Sequence, residues 1–155
     1  MLTYFPRPGQ ILMCDFGEGF KEPEAVKRRP VIVLTVRPGP LVPSLSHPGK
    51  PFMGPLVTVV ALSTQEPTKK ERHHLLLPKQ CMPQLGPFQE KDSWIKGDMI
   101  YAVCYHRLDL IQLGKRDPVT GKRLYFTSQL GRERMREVYA CVLHALNIGH
   151  VAQYL

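Results

Sequence analysis

Apolar residues in this chain fall into short, dense blocks separated by polar stretches rich in glycine and proline. ILMCDF (11–16) alternates imperfectly, as a short strand buried on both sides does. The polar stretch GEGFKEPEAVKR (17–28) is broken by Gly and Pro and predicts a loop. PVIVLTV (30–36) is the strongest strand signal, because its β-branched residues pack well on a pleated surface. Pro30 suits the first strand position, where its missing N–H costs least. Residues 37–55 hold six prolines and predict a long excursion. LVTVVAL (56–62) is the next buried strand, STQEPTKKER (63–72) a charged loop and HHLLLP (73–78) a short strand. Residues 79–92 are irregular. Strand character returns over 93–108, with Gly97 as a bend or bulge. LDLIQL and KRLYFTS flank GKRDPVTG (114–121), whose Asp-Pro and Thr-Gly predict a hairpin turn. Met135, Val138, Tyr139, Val142, Leu143 and Leu146 then recur at helical spacing, with Ser128 as an upstream cap and Asn147 and Gly149 as stops. The pattern predicts a mainly β protein: a small antiparallel, barrel-like sheet with one C-terminal helix.

With 155 residues and no internal repeat or linker, residues 1–155 are expected to form a single domain. Lys and Arg outnumber Asp and Glu by 21 to 13, a formal charge of +8. That balance favours an anionic partner such as nucleic acid or an acidic protein segment. No segment approaches the roughly 20 apolar residues that span a bilayer. The N-terminal MLTYFPRPGQ places prolines where a signal peptide has its apolar core, so a cytoplasmic protein without a membrane partner is expected. Cys14, Cys81, Cys104 and Cys141 are scattered without a CxxC pair, which fits reduced thiols. A zinc site built from Cys81, His73 and His74 lacks metal-ligand spacing, so neither a metal nor another cofactor is expected.

Candidate chemistry gathers in three places. Arg28 and Arg29 stand where the second strand begins, with Lys27 and Glu24 just before them. An arginine at the root of a buried strand is held rigidly, and its planar fork suits phosphate. The alternative is an ordinary solvated ion pair of Arg28, Arg29 and Glu24, worth about 0–1 kcal/mol. Ser63, Thr64 and Gln65 come where a buried strand meets a loop; they can donate to phosphate or a base, or simply satisfy turn backbone. His73 and His74 are expected on opposite faces of a strand, where one can act in acid–base work or both can be solvated edge residues. Phe16, Phe20, Trp94 and Tyr101 are candidates for stacking on bases or for the core. GxSxG, Walker A, GxGxxG and HExxH motifs are absent, as are paired carboxylates suited to magnesium.

Taken together, these residues resemble the PemK/MazF family of toxins from bacterial toxin–antitoxin pairs. PGQILMCDF is similar to the family's opening strand. Glu24, four residues, then Arg29-Pro30 and VIVL form the most specific feature. VVALSTQ (59–65) and DSWIKGDMIYAVCYHRL (92–108) resemble its later strands, and the helix of about 131–147 sits where the family has its terminal helix. The resemblance implies an SH3-like (CcdB/PemK-like) barrel, a homodimer, and a metal-independent, sequence-selective endoribonuclease, or mRNA interferase. Such an enzyme cuts single-stranded RNA to a 2′,3′-cyclic phosphate and a 5′-hydroxyl. Arg29 falls on the family's catalytic arginine, Ser63 on its catalytic threonine and Glu24 on an acidic position near the site. Glu24 and His74 are the candidates for the general base. Lys27, Arg28, Thr64, Gln65, His73 and His74 are the expected RNA-binding residues, and a cognate antitoxin would lay an acidic segment in the same groove. Serine in place of threonine, the proline-rich 37–55 stretch and the 114–121 hairpin depart from the family pattern. A CcdB-like gyrase inhibitor and a non-catalytic RNA-binding module of the same fold remain open alternatives.

Overall fold

The computed structural model describes residue 2, residues 4–17, residue 19, residues 27–36 and residues 56–155. Glu24, Phe20 and the 37–55 stretch lie outside the described residues. The chain forms β1 (Ile11–Cys14), β2 (Arg29–Val36), β3 (Val57–Ser63), β4 (His74–Leu77), a single helical turn α1 (Pro87–Glu90), β5 (Ser93–Val103) and β6 (Leu108–Asp109). A hairpin of β7 (Ile111–Arg116) and β8 (Arg123–Phe126) follows, then α2 (Arg132–Ala145) and a 3-10 segment over Gly149–Tyr154. The first six strands make one antiparallel sheet in the order β4-β5-β3-β2-β1-β6.

The mainly β, antiparallel architecture with a C-terminal helix matches the sequence pattern. The barrel differs. Among the described residues no ladder joins β4 to β6, so the sheet is open. β6 is only two residues long, too short to carry the ladder around, and each face of the sheet is covered by its own apolar cluster instead. Along β2, Ile32 and Leu34 join a cluster with Val60, Leu62, Leu77 and Ile95, which packs on Met135, Val138 and Cys141 of α2. Val31 and Val33 point the other way, into a cluster with Leu12, Cys14, Val57, Val59 and Val103 that is capped by Leu2, Phe16 and Leu108. Burial on both faces explains why the run VIVL shows no polar alternation.

β5 carries the bulge expected at Gly97. While β3 runs from Val60 to Leu62, its partner runs from Ile100 to Ile95. A Cβ at Gly97 would sit 2.6 Å from the Cys141 carbonyl oxygen, so the absent side chain lets α2 approach the sheet closely. The helix begins at Gly131, which makes no side-chain cap; Ser128 lies three residues too early to serve as one. Its end follows expectation at Asn147, which takes the left-handed conformation (φ 61) just beyond the C-cap Leu146. Gly149 does not stop the chain's helical course but opens the 3-10 segment, and Arg136 reaches back to the carbonyl of Leu155. All four cysteines are free thiols. No helix among the described residues is long and apolar enough to cross a membrane.

Candidate active site

Strand pairing gathers the candidate residues into one cross-strand row. Leu76 of β4 pairs with Trp94 of β5, and Trp94 with Ser63 of β3. On the other flank, Leu108 of β6 pairs with Cys14 of β1, and Cys14 with Arg29 of β2. β2 and β3 join these halves. The ladder between them ends with Val31 opposite Ala61, and Arg29 and Ser63 lie two residues beyond it, each on the face of Val31 and Ala61 by strand alternation. Directly opposed residues share a face, with Cβ atoms roughly 5 Å apart. Arg29 and Ser63 therefore belong to the sheet face turned away from α2, at the edge of the Val31–Val59 cluster.

Each of the two has a shaped environment. Arg29 is half-buried, and its Nε is enclosed with no hydrogen-bond partner among the described residues. A guanidinium left in this state favours an incoming acceptor, because a buried unpaired N–H is costly. Ser63 is 8% exposed, and its Oγ accepts the Gln65 N–H at 3.1 Å. The turn-forming alternative for Ser63 is thus partly realised, but an accepting hydroxyl keeps its own hydrogen to donate. Thr64 is half-buried and Gln65 exposed in the same bend. Beneath them Trp94 is 8% exposed, and the Lys70 ammonium lies 5.2 Å from its ring centroid.

The remaining candidates separate. Lys27 and Arg28 are exposed at the mouth of β2. Arg28 pairs with Asp109 at 3.6 Å, and both line a cavity of about 730 Å³ with Met13, Phe88, Ile111 and Tyr125. His73 and His74 do not take opposite faces. β4 begins only at His74, so His73 belongs to the preceding turn and its ring lies 4.3 Å from that of His74. His74 stands two residues along β4 from Leu76, and β4 lies two strands from β3. Strand spacing then puts His74 roughly 12 Å from Ser63, beyond the reach of a general base acting there. Burial, followed by the neighbouring His73, lowers the pKa of His74 below its usual 6.5. Phe16 is fully buried and packs on Tyr101 at 4.8 Å, so it belongs to the core rather than to a stacking platform.

Lys96 was missed as a candidate. It is half-buried, two residues from Trp94 on the same face, and opposite His74. Period-two spacing from Trp94 along a strand would have found it. Arg107 closes the other flank: its NH1 donates to the Asp15 carbonyl at 2.9 Å, and the Arg107 carbonyl accepts the Asp15 N–H at 2.9 Å. Cys14, beside Arg29 in the row, is pushed up to about 12, chiefly by burial.

An uncharacterised protein of Haemophilus influenzae is 25% identical over 150 residues, covering 92% of this chain and 90% of that protein. A solved structure of an endoribonuclease in complex with its cognate antitoxin, from a mycobacterial species, is similar at a TM-score of 0.49 and 15% identity, covering 93% of this chain and 97% of the other. The model of the PemK-like, MazF-like toxins of type II toxin–antitoxin systems matches residues 7–146, which hold the whole Arg29–Ser63 row, and the chain belongs to that family.

Proposed function

We propose that this chain is an endoribonuclease toxin that cuts single-stranded RNA at the Arg29–Ser63 face. The observation that supports the proposal is the shared face: a half-buried arginine whose Nε has no partner among the described residues, on the same face as a buried hydroxyl of the neighbouring strand. In the proposed reaction the ribose 2′-oxygen attacks the adjacent phosphorus. The 2′-O–P bond forms and the P–O5′ bond breaks, leaving a 2′,3′-cyclic phosphate and a 5′-hydroxyl. The 2′-OH proton passes to a base, and the departing 5′-oxygen takes up a proton. Negative charge builds on the phosphoryl oxygens, where the Arg29 guanidinium and the Ser63 hydroxyl donate hydrogen bonds. Preorganised donors of this kind are worth about 2.7–4 kcal/mol each at the transition state. Arginine stays protonated and does not serve as the base. Glu24, five residues before Arg29, is the candidate base; His74 stands too far from the row for that role.

Lys27, Arg28, Thr64, Gln65, Lys96, His73 and His74 are proposed to hold the RNA backbone, Lys27 and Arg28 from the mouth of β2, Thr64 and Gln65 from the bend after Ser63, and Lys96, His73 and His74 from the β4–β5 side. An antitoxin would cover this basic face with an acidic segment, and two copies of the chain would work as a homodimer. The test is cleavage of a single-stranded RNA in EDTA, beside the same sequence as DNA, by the wild type and Arg29→Ala. RNA-only cleavage that falls about 10²–10³-fold in the variant is expected. Intact RNA with bound protein, or inhibited supercoiling with intact RNA, would replace the enzyme with a binding module or a gyrase inhibitor.

A further inference from the structure

Among the described residues, His73, His74 and Asp98 each offer one metal-binding atom, and the three atoms lie within 4.8 Å of one another. We propose that they form a binding site for a late first-row divalent cation such as Zn²⁺, with solvent completing the coordination. Two imidazoles and one carboxylate are a donor set that such ions accept.

The backbone builds this convergence. His73 sits in the turn before β4 rather than in the strand, so both rings come to one side, tilted by 55°. The bulge in β5 carries Asp98 next to Gly97. The His73 carbonyl accepts the Gly97 N–H at 2.8 Å and the Cys141 S–H at 2.8 Å. Those two bonds pin the segment bearing the imidazoles against the one bearing the carboxylate. Donors about 2.0–2.2 Å from a tetrahedral zinc lie roughly 3.5 Å from each other. Half-buried histidines and an exposed Asp98 leave the side-chain freedom to close that gap. His74 Nδ1 accepts the Glu71 N–H at 3.2 Å. Metal binding gives up this long contact through either nitrogen, since ligation by Nε2 puts the proton on Nδ1. Lys96, opposite His74, opposes a cation here, and the Asp98 carboxylate offsets it. His73 also lines a cavity of about 580 Å³ with His144 and His150, which leaves an open side for solvent. At roughly 12 Å from Ser63 by strand spacing, the ion takes no part in the proposed strand scission.

The test uses the full chain, stripped with a chelator, titrated with Zn²⁺ by calorimetry and with Co²⁺ by visible absorption. The expected result is one saturable equivalent per chain and a Co²⁺ spectrum without a thiolate-to-metal band. His73→Ala, His74→Ala and Asp98→Asn should each weaken Zn²⁺ at least about tenfold, since even indirect supports of a metal site cost 10–100-fold. Asp98→Asn is nearly isosteric at an exposed position, so it remains readable if a histidine variant fails to fold. No saturable uptake, a thiolate band, or wild-type affinity in any folded variant overturns the site.

Discussion

Ser63 separates shape from chemistry at the level of a single atom. Its Oγ holds the Gln65 N–H, so removing it loosens the bend as well as the proposed donor. Ser63→Ala should therefore lower RNA cleavage by about 10²-fold with a melting-temperature loss of only a few degrees. Ser63→Thr, which keeps the hydroxyl, should cut at a rate near the wild type. Single-turnover cleavage beside thermal melts checks both; equal loss in the two variants would remove the hydroxyl from the reaction. Next along the row, Cys14 is held at about 12 and Cys141 at about 11, each chiefly by burial. Neither forms appreciable thiolate at neutral pH, so both should resist alkylation in the folded protein and react once it is unfolded, as mass spectrometry would read. The unfolded thiols ionise near 9.0 and the folded ones do not, so stability is full below pH 9 and drains as the pH rises toward 11–12.

Elements meet at β5 and α2, where a glycine and a tyrosine set the fit. An alanine at Gly97 would push its Cβ against the Cys141 backbone, and moving a helix is harder than moving a side chain. Gly97→Ala is expected to cost about 1–3 kcal/mol in urea unfolding. Tyr139 donates its hydroxyl to the Leu34 carbonyl at 2.8 Å, tying α2 to β2; Tyr139→Phe should cost about 0.5–1.5 kcal/mol. The bulge at Gly97 was legible because glycine inside a strand pattern has few other uses. The helix was equally legible from Met135, Val138 and Val142, since a 3.6-residue period survives without neighbours. The one-turn α1 at Pro87–Glu90 was not, being too short to show a period. Nor was the placement of His73: a turn and a strand can both begin with two histidines, and only the pairing of His74 with Lys96 decides between them.

Across the whole molecule, charge and topology act together. That Arg29 and Ser63 share a face was legible only as a resemblance in motif order, because the two positions lie 34 apart in the chain and nothing local encodes a cross-strand register. The register pairs VIVL with VVAL, and a one-residue slip would turn β2 over, exchanging its side chains between the two apolar clusters and sending Arg29 to the face packed on α2. Once set, it puts Arg29 and Lys96 on one face of the sheet, with Lys27 and Arg28 exposed at the mouth of β2, in a chain already at +8. If a single strand of RNA engages about four such cations, log K should fall against log salt with a slope of about −3, from roughly 0.7 per phosphate contact. Arg28 offers a way to move that slope without touching the proposed catalytic pair. Asp109 holds it at 3.6 Å in an exposed ion pair worth little to the fold, yet its carboxylate repels the backbone of an approaching RNA. Asp109→Asn should therefore bind RNA more tightly at low salt and steepen the slope, while Arg28→Ala should flatten it by about 0.7. Filter binding across a salt series would read both. A slope indifferent to these two changes would mean that RNA does not pass the mouth of β2, and the groove would have to be sought elsewhere on the sheet.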